Sequence, residues 1–440
     1  GGTLINVRVQ RQRSIIKSSL KQVVMHQSDG FMKKNAGKKQ ALSLCFAVKR
    51  ETFRTDVAMN SELFIRQHRL DDVRTLAFQA DKYPEVDMPF ALEQIQGWQL
   101  ARRKLPEWAA EDGVLFPPHL SMEQCSSEQA ARYKCSVVER LLTAEERRKG
   151  MMTDLTGGFG VDFSYMARSF VKAVYVEQQE RLCEVARHNF HCFGLQQAEV
   201  VHGDGVDFLH SLQDKQALIY LDPARRDAHG GKTYAIEDCS PDVTALSDEL
   251  VERARLVMIK LSPMLDWHAA VVRMKHVCEV HIVSVGGECK ELLLVMQQGE
   301  AVEKRLFCVN DDDTFVCRIG EEPRRWPLVE DLRSVRWLYE PNASLMKGGC
   351  FGSLAERFKL QGVGQNSHLF VSEKRVEDFP GRGFYIEDIT SMNRKELKTK
   401  LAGLTKANIA VRNFPLSAVE LRKKLHLKEG GDTYLFATTV

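Results

Sequence analysis

The stretch DLTGGFGVD, residues 154–162, has three glycines between two carboxylates, directly after a short apolar run. Gly157, Gly158 and Gly160 allow the backbone to turn sharply and a ligand to approach without a Cβ in the way. The amphipathic run VDFSYMARSF follows at residues 161–170. This pattern predicts a strand, a glycine turn and a helix. A structural turn without a ligand remains an alternative for the stretch taken alone.

The residues around the glycines separate three kinds of ligand. A phosphate-binding P-loop needs a lysine and a serine or threonine after the glycines, but Val161 and Asp162 follow here. A dinucleotide turn needs a third glycine where Phe163 stands, and Asp154 would repel a pyrophosphate. A cofactor that carries an ammonium and a sulfonium, and no phosphate, would be attracted by that carboxylate.

Strand and helix patterns alternate beyond this turn. Helical stretches separate the first five of the predicted strands, and the short segment GGECKE joins the last two. The predicted strands cover residues 152–156, 173–177, 199–203, 217–222, 256–262, 279–285 and 292–296. We therefore expect an α/β fold with a Rossmann-like sheet of seven strands, one of them antiparallel, and helices on both faces.

Acidic residues follow the predicted strands at matching places. Glu177 ends the second strand, where a carboxylate can accept hydrogen bonds from both ribose hydroxyls of an adenosine. Asp204 follows the third strand and can accept from an adenine amine, next to the backbone of Gly205. Asp222 ends the fourth strand, and Pro223 follows it on a rigid exit from the sheet. Each acid alone could be a solvated loop residue, but together they predict one crevice.

This combination resembles the class I S-adenosylmethionine-dependent methyltransferases over about residues 151–297. The resemblance implies that S-adenosylmethionine is the cofactor. The residues implied to bind it are Asp154, Thr156, Gly157, Gly158, Gly160, Glu177, Asp204 and Gly205.

The motif Asp222-Pro223-Ala224-Arg225 stands at the position of the methyl acceptor in this family. We expect Asp222 to be a hydrogen-bond acceptor or weak base for the target atom, the Pro223 carbonyl to be a second acceptor, and Arg225 or Arg226 to hold a substrate phosphate or carboxylate. Nucleic-acid N-methyltransferases carry a second proline and an aromatic residue here, so this chain is closer to the Asp-Pro-Pro-Arg type of several RNA methyltransferases. A surface pairing of the two arginines with nearby acids is the alternative.

The rest of the chain extends the resemblance. The chain also resembles the Bacteroidetes-type methyltransferases that carry a ferredoxin-like segment and a C-terminal THUMP-like domain. This resemblance lies in the stretches MPFALEQIQGWQLARRKLPEW, HLSMEQCSSEQAARYK and YEPNASLMKGG. We expect a helical domain at 59–148, the methyltransferase domain at 149–298, the ferredoxin-like segment at 299–340 and an α+β THUMP-like domain at 341–440. THUMP-type domains imply an RNA partner, tRNA or rRNA.

The region before the glycine turn contains one further helix signal. Ser126 and Gln129 have the spacing of a capping box, which predicts a helix over residues 127–142. By analogy with related enzymes, Gln129, Tyr133 and Lys134 are candidates for contact with the methionine end of the cofactor. A purely structural helix is the alternative.

The net charge of +3 conceals an asymmetry. Residues 1–58 contain twelve lysines and arginines against three aspartates and glutamates, a net of +9, so residues 59–440 carry −6. Such an arm could bind RNA or act as a transit peptide, but it lacks a clear amphipathic period. Because helical periodicity begins at Met59, we expect Met59 to be the working start and residues 1–58 to be upstream sequence or disordered.

The composition restricts the setting. Eleven cysteines occur without a C-x-x-C pair or zinc-ligand spacing, which favours reduced thiols in a cytoplasm and no metal site. No apolar run approaches the roughly 18 residues that span a bilayer. Three functions remain open: a methyltransferase that N-methylates an RNA nucleotide, a protein or small-molecule methyltransferase on the same core, and a non-catalytic RNA-binding relative.

Overall fold

The computed structural model describes residues 2–9, 54–225, 236–299, 303–320 and 325–439. The α-helices are α1 Arg54–His68, α2 Val73–Ala77, α3 Met88–Lys104, α4 Pro106–Ala110, α5 His119–Gln124, α6 Glu128–Leu141, α7 Ala144–Lys149, α8 Val161–Met166, α9 Glu180–Cys192, α10 Gly205–Ser211, α11 Ser247–Arg253, α12 Trp267–Arg273, α13 Ala343–Gly348, α14 Phe351–Phe358, α15 Arg394–Lys400 and α16 Ala418–Leu425. The strands are β1 Gly2–Val9, β2 Met151–Asp154, β3 Lys172–Glu177, β4 Ala198–His202, β5 Gln216–Leu221, β6 Ala224–Arg225, β7 Cys239–Ser240, β8 Ala254–Leu261, β9 Val277–Val285, β10 Glu288–Met296, β11 Arg305–Asn310, β12 Asp313–Arg318, β13 Trp337–Pro341, β14 Gln361–Gly362, β15 Phe370–Ser372, β16 Gly381–Ser391, β17 Asn408–Arg412 and β18 Thr433–Thr439.

The larger sheet contains the seven strands predicted from the sequence. Its order is β12-β11-β9-β10-β8-β5-β2-β3-β4. The pairs β2–β3, β2–β5, β3–β4 and β5–β8 are parallel. A two-residue turn of Gly286 and Gly287, both with positive φ, joins β9 to β10, so these neighbouring strands run in opposite directions. The predicted α/β sheet with one reversed strand is confirmed.

The hairpin of β11 and β12 extends this sheet. Its two strands are antiparallel, with pairs from Arg305–Arg318 to Asn310–Asp313. Asp311 adopts a φ of 53° in the turn, a conformation that aspartate tolerates better than most residues. β11 pairs in parallel with β9, an extension that local sequence patterns do not reveal.

Helices α1–α7 form the predicted helical region before β2. Trp108 and Met122 have no exposed surface and pack in one apolar cluster with Phe159 of the glycine loop. The helix predicted over residues 127–142 is α6, but its cap is Ser127, whose hydroxyl accepts from the Ala130 N–H at 3.2 Å. The expected capping role of Ser126 was wrong, because that hydroxyl donates instead to Asp162 at 2.8 Å.

The second sheet has the order β14-β15-β13-β16-β1-β18-β17, and β1 lies inside it. β1 is antiparallel to both neighbours, and Leu4, Ile5 and Val7 have no exposed surface. The expectation of a disordered arm was therefore wrong for residues 2–9, because the basic charge of the arm concealed a short apolar strand. Residues 10–53 of that arm lie outside the described residues.

Helices α15 and α16 both pack apolar side chains against the second sheet. Leu397 of α15 and Leu421 of α16 belong to one apolar cluster with Leu4 and Ala437 of the second sheet. The polar sides of both helices are consequently exposed. Within the described part of the chain, no helix combines the length and apolar character needed to cross a membrane.

Candidate functional site

The acidic residues singled out in the sequence meet at one edge of the larger sheet. Asp154 ends β2, Glu177 ends β3, Asp204 lies two residues beyond β4, and Asp222 directly follows β5. These four strands are parallel, so their carboxyl ends share an edge. In open α/β sheets, ligands bind at this edge.

The glycine loop owes its shape to its three glycines. Gly158 and Gly160 have φ angles of 56° and 83°, in the left-handed region. A Cβ on Gly157 would lie 2.2 Å from the Tyr175 ring, which packs beneath the loop. The Tyr175 hydroxyl also donates to the Gly158 carbonyl. The loop is thus held closely against β3, and its outer backbone can approach a ligand.

Glu177 is buried, and both of its carboxylate oxygens accept hydrogen bonds from the backbone. One carboxylate oxygen accepts from the Gly158 N–H at 2.9 Å, and the other accepts from the Gln179 N–H at 2.8 Å. The side chain therefore fixes the glycine loop to the end of β3. Each oxygen keeps a second lone pair, which suits the expected contact with ribose hydroxyls.

Asp204 caps α10. Its Oδ1 accepts from the N–H groups of Val206 at 2.8 Å and Asp207 at 3.1 Å, while Oδ2 accepts from the Gln178 amide at 2.6 Å. The sequence interpretation gave it an adenine contact and missed the cap, although an acid followed by a glycine before a helical run is a recognisable cap signal. The adenine contact stays a prediction.

Gly205 connects two loops of the site. A Cβ there would lie 2.0 Å from the Leu155 carbonyl oxygen, so only glycine allows the start of α10 to approach the chain after β2. The segments after β2 and β4 are therefore in direct backbone proximity, as a shared binding crevice requires.

Asp154 is almost completely buried, with 1% of its surface exposed. Its Oδ1 accepts from the Thr156 N–H at 3.0 Å. Burial raises the pKa of Asp154 well above its usual range, and the negative charges of Asp162, Asp222 and Glu177 add to the effect. A nearby cation would favour the ionised form, so this carboxyl group and a positively charged ligand would stabilise each other.

Asp162, in the first turn of α8, is the acid whose role the sequence did not reveal. Its Oδ2 accepts from the hydroxyls of Ser126 and Tyr220, each at 2.8 Å, and the Lys134 ammonium lies 3.2 Å from Oδ1. Burial alone would raise the pKa of Asp162, but the positive charges of Lys134 and Lys260 hold it below its usual value. Lys134 itself has no exposed surface.

The motif after β5 contacts the glycine loop. The Asp222 backbone N–H donates to the Thr156 hydroxyl at 2.6 Å, and the Lys260 ammonium pairs with Asp222 Oδ2. Pro223 is buried. Ala224 and Arg225 form β6, whose backbone pairs antiparallel with β7. Arg226 lies outside the described residues.

Two family models match the C-terminal part of the chain. A family model described as "THUMP domain-like" matches residues 381–440, and one described as "ferredoxin-like domain" matches residues 337–380. The ferredoxin-like match begins near the end of the segment expected at 299–340. None of the curated proteins matches the chain.

Solved structures give a broader match. A "putative methyltransferase" from Porphyromonas gingivalis W83 is 30% identical, with a TM-score of 0.75, over 86% of this chain and 94% of that one. An rRNA methylase from Streptococcus thermophilus is 10% identical over 38% of this chain and 93% of that one, with a TM-score of 0.29. A Streptococcus mutans protein solved in complex with SAH, also called a "putative methyltransferase", is 11% identical over 38% of this chain and 95% of that one, with a TM-score of 0.29.

Proposed function

Because the chain belongs to the class I S-adenosylmethionine-dependent methyltransferases with ferredoxin-like and THUMP-like domains, we propose that it N-methylates a nucleotide of tRNA or rRNA. The observation that carries the proposal is the hydrogen bond from the Asp222 N–H to the Thr156 hydroxyl. It joins the motif expected at the methyl acceptor to the loop expected at the methyl donor. Proximity of donor and acceptor supplies much of the rate in such a displacement.

The residues of the glycine loop fit the cofactor. An added Cβ at Gly158 would meet only the Thr156 carbonyl, at 3.8 Å, so this part of the backbone faces open space. S-adenosylmethionine supplies an electrophilic methyl group on a positively charged sulfur. In our proposal the residues that hold it are Asp154, Thr156, Gly157, Gly158, Gly160, Glu177, Asp204 and Gly205.

The acceptor side uses the motif after β5. Asp222 keeps 38% of its side chain exposed, so its carboxylate can accept a hydrogen bond from the nitrogen to be methylated. The Pro223 carbonyl is the second acceptor, and Arg225 holds a phosphate of the substrate. Asp222 and the Pro223 carbonyl orient the target nitrogen, and the Asp222 carboxylate receives its proton; none of these residues forms a covalent bond with the target.

The charge distribution supports RNA as the substrate. Residues 381–440 contain eleven lysines and arginines against six aspartates and glutamates, a net of +5, whereas residues 59–380 carry −11. A local excess of positive charge attracts the phosphate backbone without reading its sequence. The THUMP-like range would therefore bind RNA, and the methyltransferase range would modify it.

Tritium transfer tests this proposal. Purified protein with methyl-labelled S-adenosylmethionine should label total bacterial RNA, and Asp222→Ala should lose that transfer while its affinity for adenosylhomocysteine stays within about twofold. Nucleoside analysis of RNA from a deletion strain should then show the missing modified nucleotide. Label that enters only protein or small molecules would overturn the RNA substrate, and calorimetry that detects NAD but not adenosylhomocysteine would overturn the cofactor.

The acidic charge of residues 59–380 favours a second candidate. A range with a net negative charge attracts RNA less and suits a cationic protein or small molecule as the acceptor. The same labelling experiment with cell lysate in place of RNA distinguishes a protein or small-molecule methyltransferase from the first proposal. A chain that binds RNA but labels no acceptor would be a non-catalytic relative.

A further inference from the structure

Lys260 lies beside Asp222 at the edge of the larger sheet. β5 and β8 are parallel neighbours, with Leu221 opposite Ile259, so Asp222 and Lys260 are next to each other in the register. The Lys260 ammonium pairs with Asp222 Oδ2. The lysine side chain is 12% exposed and the aspartate side chain 38%, so the cation is the more buried partner. One carboxylate oxygen is thus held by a group inside the protein.

Neighbouring charged side chains stabilise the Lys260 ammonium at this position. Its ammonium is close enough to Asp162 to act, together with Lys134, in lowering the pKa of that buried carboxyl group against the effect of burial. Asp162 is fixed by the Ser126 and Tyr220 hydroxyls. Positive and negative groups therefore alternate from the fully buried Lys134, through Asp162 and Lys260, to Asp222. Such alternation offsets the cost of removing an ammonium from water.

We propose that Lys260 is a positioning residue for methyl transfer: its ammonium holds Asp222 Oδ2 so that Oδ1 points to the acceptor nitrogen. The inference rests on the proposed function of Asp222. A carboxylate on an exit from the sheet could otherwise rotate about its side-chain bonds, because only its backbone N–H is tied to Thr156. A pair with a nearly buried ammonium restricts that rotation.

The test compares Lys260→Met, which removes the charge, with Lys260→Arg, which keeps it. Lys172→Met is the matched control, since Lys172 lies on β3 of the same sheet in an exposed pair with Glu199. With total bacterial RNA as substrate, Lys260→Met should lower kcat by about 100-fold, the cost of a misplaced reacting group, with KM little changed. Lys260→Arg should recover part of the loss, and Lys172→Met should match the wild type.

Two measurements do not depend on the acceptor. Calorimetry with adenosylhomocysteine should give all four proteins the same affinity within about twofold. Crystal structures of the adenosylhomocysteine complexes should show one Asp222 conformer in the wild type and in Lys260→Arg, and a rotated or multiple conformer in Lys260→Met. If Lys260→Met does not fold, Lys260→Gln takes its place in both measurements.

The outcomes separate the two proposals. Unchanged kcat in Lys260→Met, or an Asp222 side chain that keeps its conformer there, overturns the role of Lys260. A wild-type protein that labels no RNA overturns the proposed function, while the Asp222 conformers still decide whether Lys260 orients that side chain.

Discussion

The Thr156 hydroxyl accepts a hydrogen bond of 2.6 Å from the Asp222 N–H, and this bond joins the glycine loop to the motif after β5. Thr156→Val keeps the shape of the side chain and removes the acceptor, so the Asp222 N–H loses its partner. We expect the rate of methyl transfer to fall by about 10- to 100-fold, because the methyl donor and the acceptor are no longer held in a fixed relative position. Thr156→Ser keeps the hydroxyl and should retain most of the activity. Equal activity of the valine and serine variants would contradict the role of this bond.

Gly157 should not tolerate a side chain. The Cβ of Gly157→Ala would lie 2.2 Å from the Tyr175 ring, which has neighbours on every side and cannot withdraw. The loop must then shift, and we expect adenosylhomocysteine affinity to fall by at least about 10-fold. Gly203→Ala is the matched control, because an added Cβ there meets nothing within 4 Å. Calorimetry on both variants checks the prediction, and a Gly157→Ala protein with wild-type affinity would refute it.

Asp154 should make stability fall as the pH rises. Its pKa is raised by burial in the folded chain and is ordinary in the unfolded chain, so the folded state binds the extra proton. The resulting stability is complete below the unfolded pKa, near 4, and is lost as the pH rises through the folded pKa. Asp154→Asn removes this dependence, whose slope is at most about 1.4 kcal/mol per pH unit.

Urea unfolding without ligand between pH 4 and pH 8 measures the effect. The wild type should lose unfolding free energy relative to Asp154→Asn toward high pH. Adenosylhomocysteine, whose ammonium favours the ionised carboxyl group, should reduce the difference if Asp154 faces the positive end of the cofactor. Parallel pH profiles without ligand would show that the Asp154 pKa is not raised.

The sequence predicted the larger sheet because its strands carry strong local signals. β5 is buried along its whole length and reads as the continuous run QALIYL. The acids at strand ends could be placed together for the same reason, since parallel strands share their carboxyl edge. Both inferences need only the order of elements along the chain.

Tertiary contacts were beyond the reach of local patterns. Lys134 and Asp162 are 28 positions apart on two helices, and the sequence predicted only a cofactor contact for Lys134, yet the two side chains form a buried pair. The pairing of β1 with β16 and β18 joins segments separated by almost the whole chain. When the pairing partners of a strand are so distant in the chain, its only local signal is a short alternating pattern. For β1, the surrounding basic residues obscured that pattern.

β1 should stabilise the second sheet. Ile5 has no exposed surface and packs in a cluster with Phe384 and Phe436. Ile5→Ala should lower the free energy of unfolding by about 2–5 kcal/mol, the usual cost of truncating a buried isoleucine. Hydrogen exchange should show faster exchange of amides in β16 and β18. Arg8→Ala is the control, since that side chain is 63% exposed, and equal exchange rates in both variants would contradict the prediction.

The exposed lysines of α15 and α16 should contribute to RNA binding. Lys395 and Lys398 of α15 and Lys423 and Lys424 of α16 are exposed, and both helices turn their leucines toward the same apolar cluster. Replacing the four lysines by glutamate should weaken binding of total tRNA and reduce the slope of log affinity against log salt by up to about 3. Fluorescence anisotropy at several salt concentrations measures both quantities. The matched control replaces the exposed Lys82, Lys172, Lys215 and Lys275 by glutamate. These four lysines lie in the acidic range of residues 59–380, so their replacement should leave the slope almost unchanged. An equal loss in the two quadruple variants would show that net charge, rather than this surface, determines the affinity.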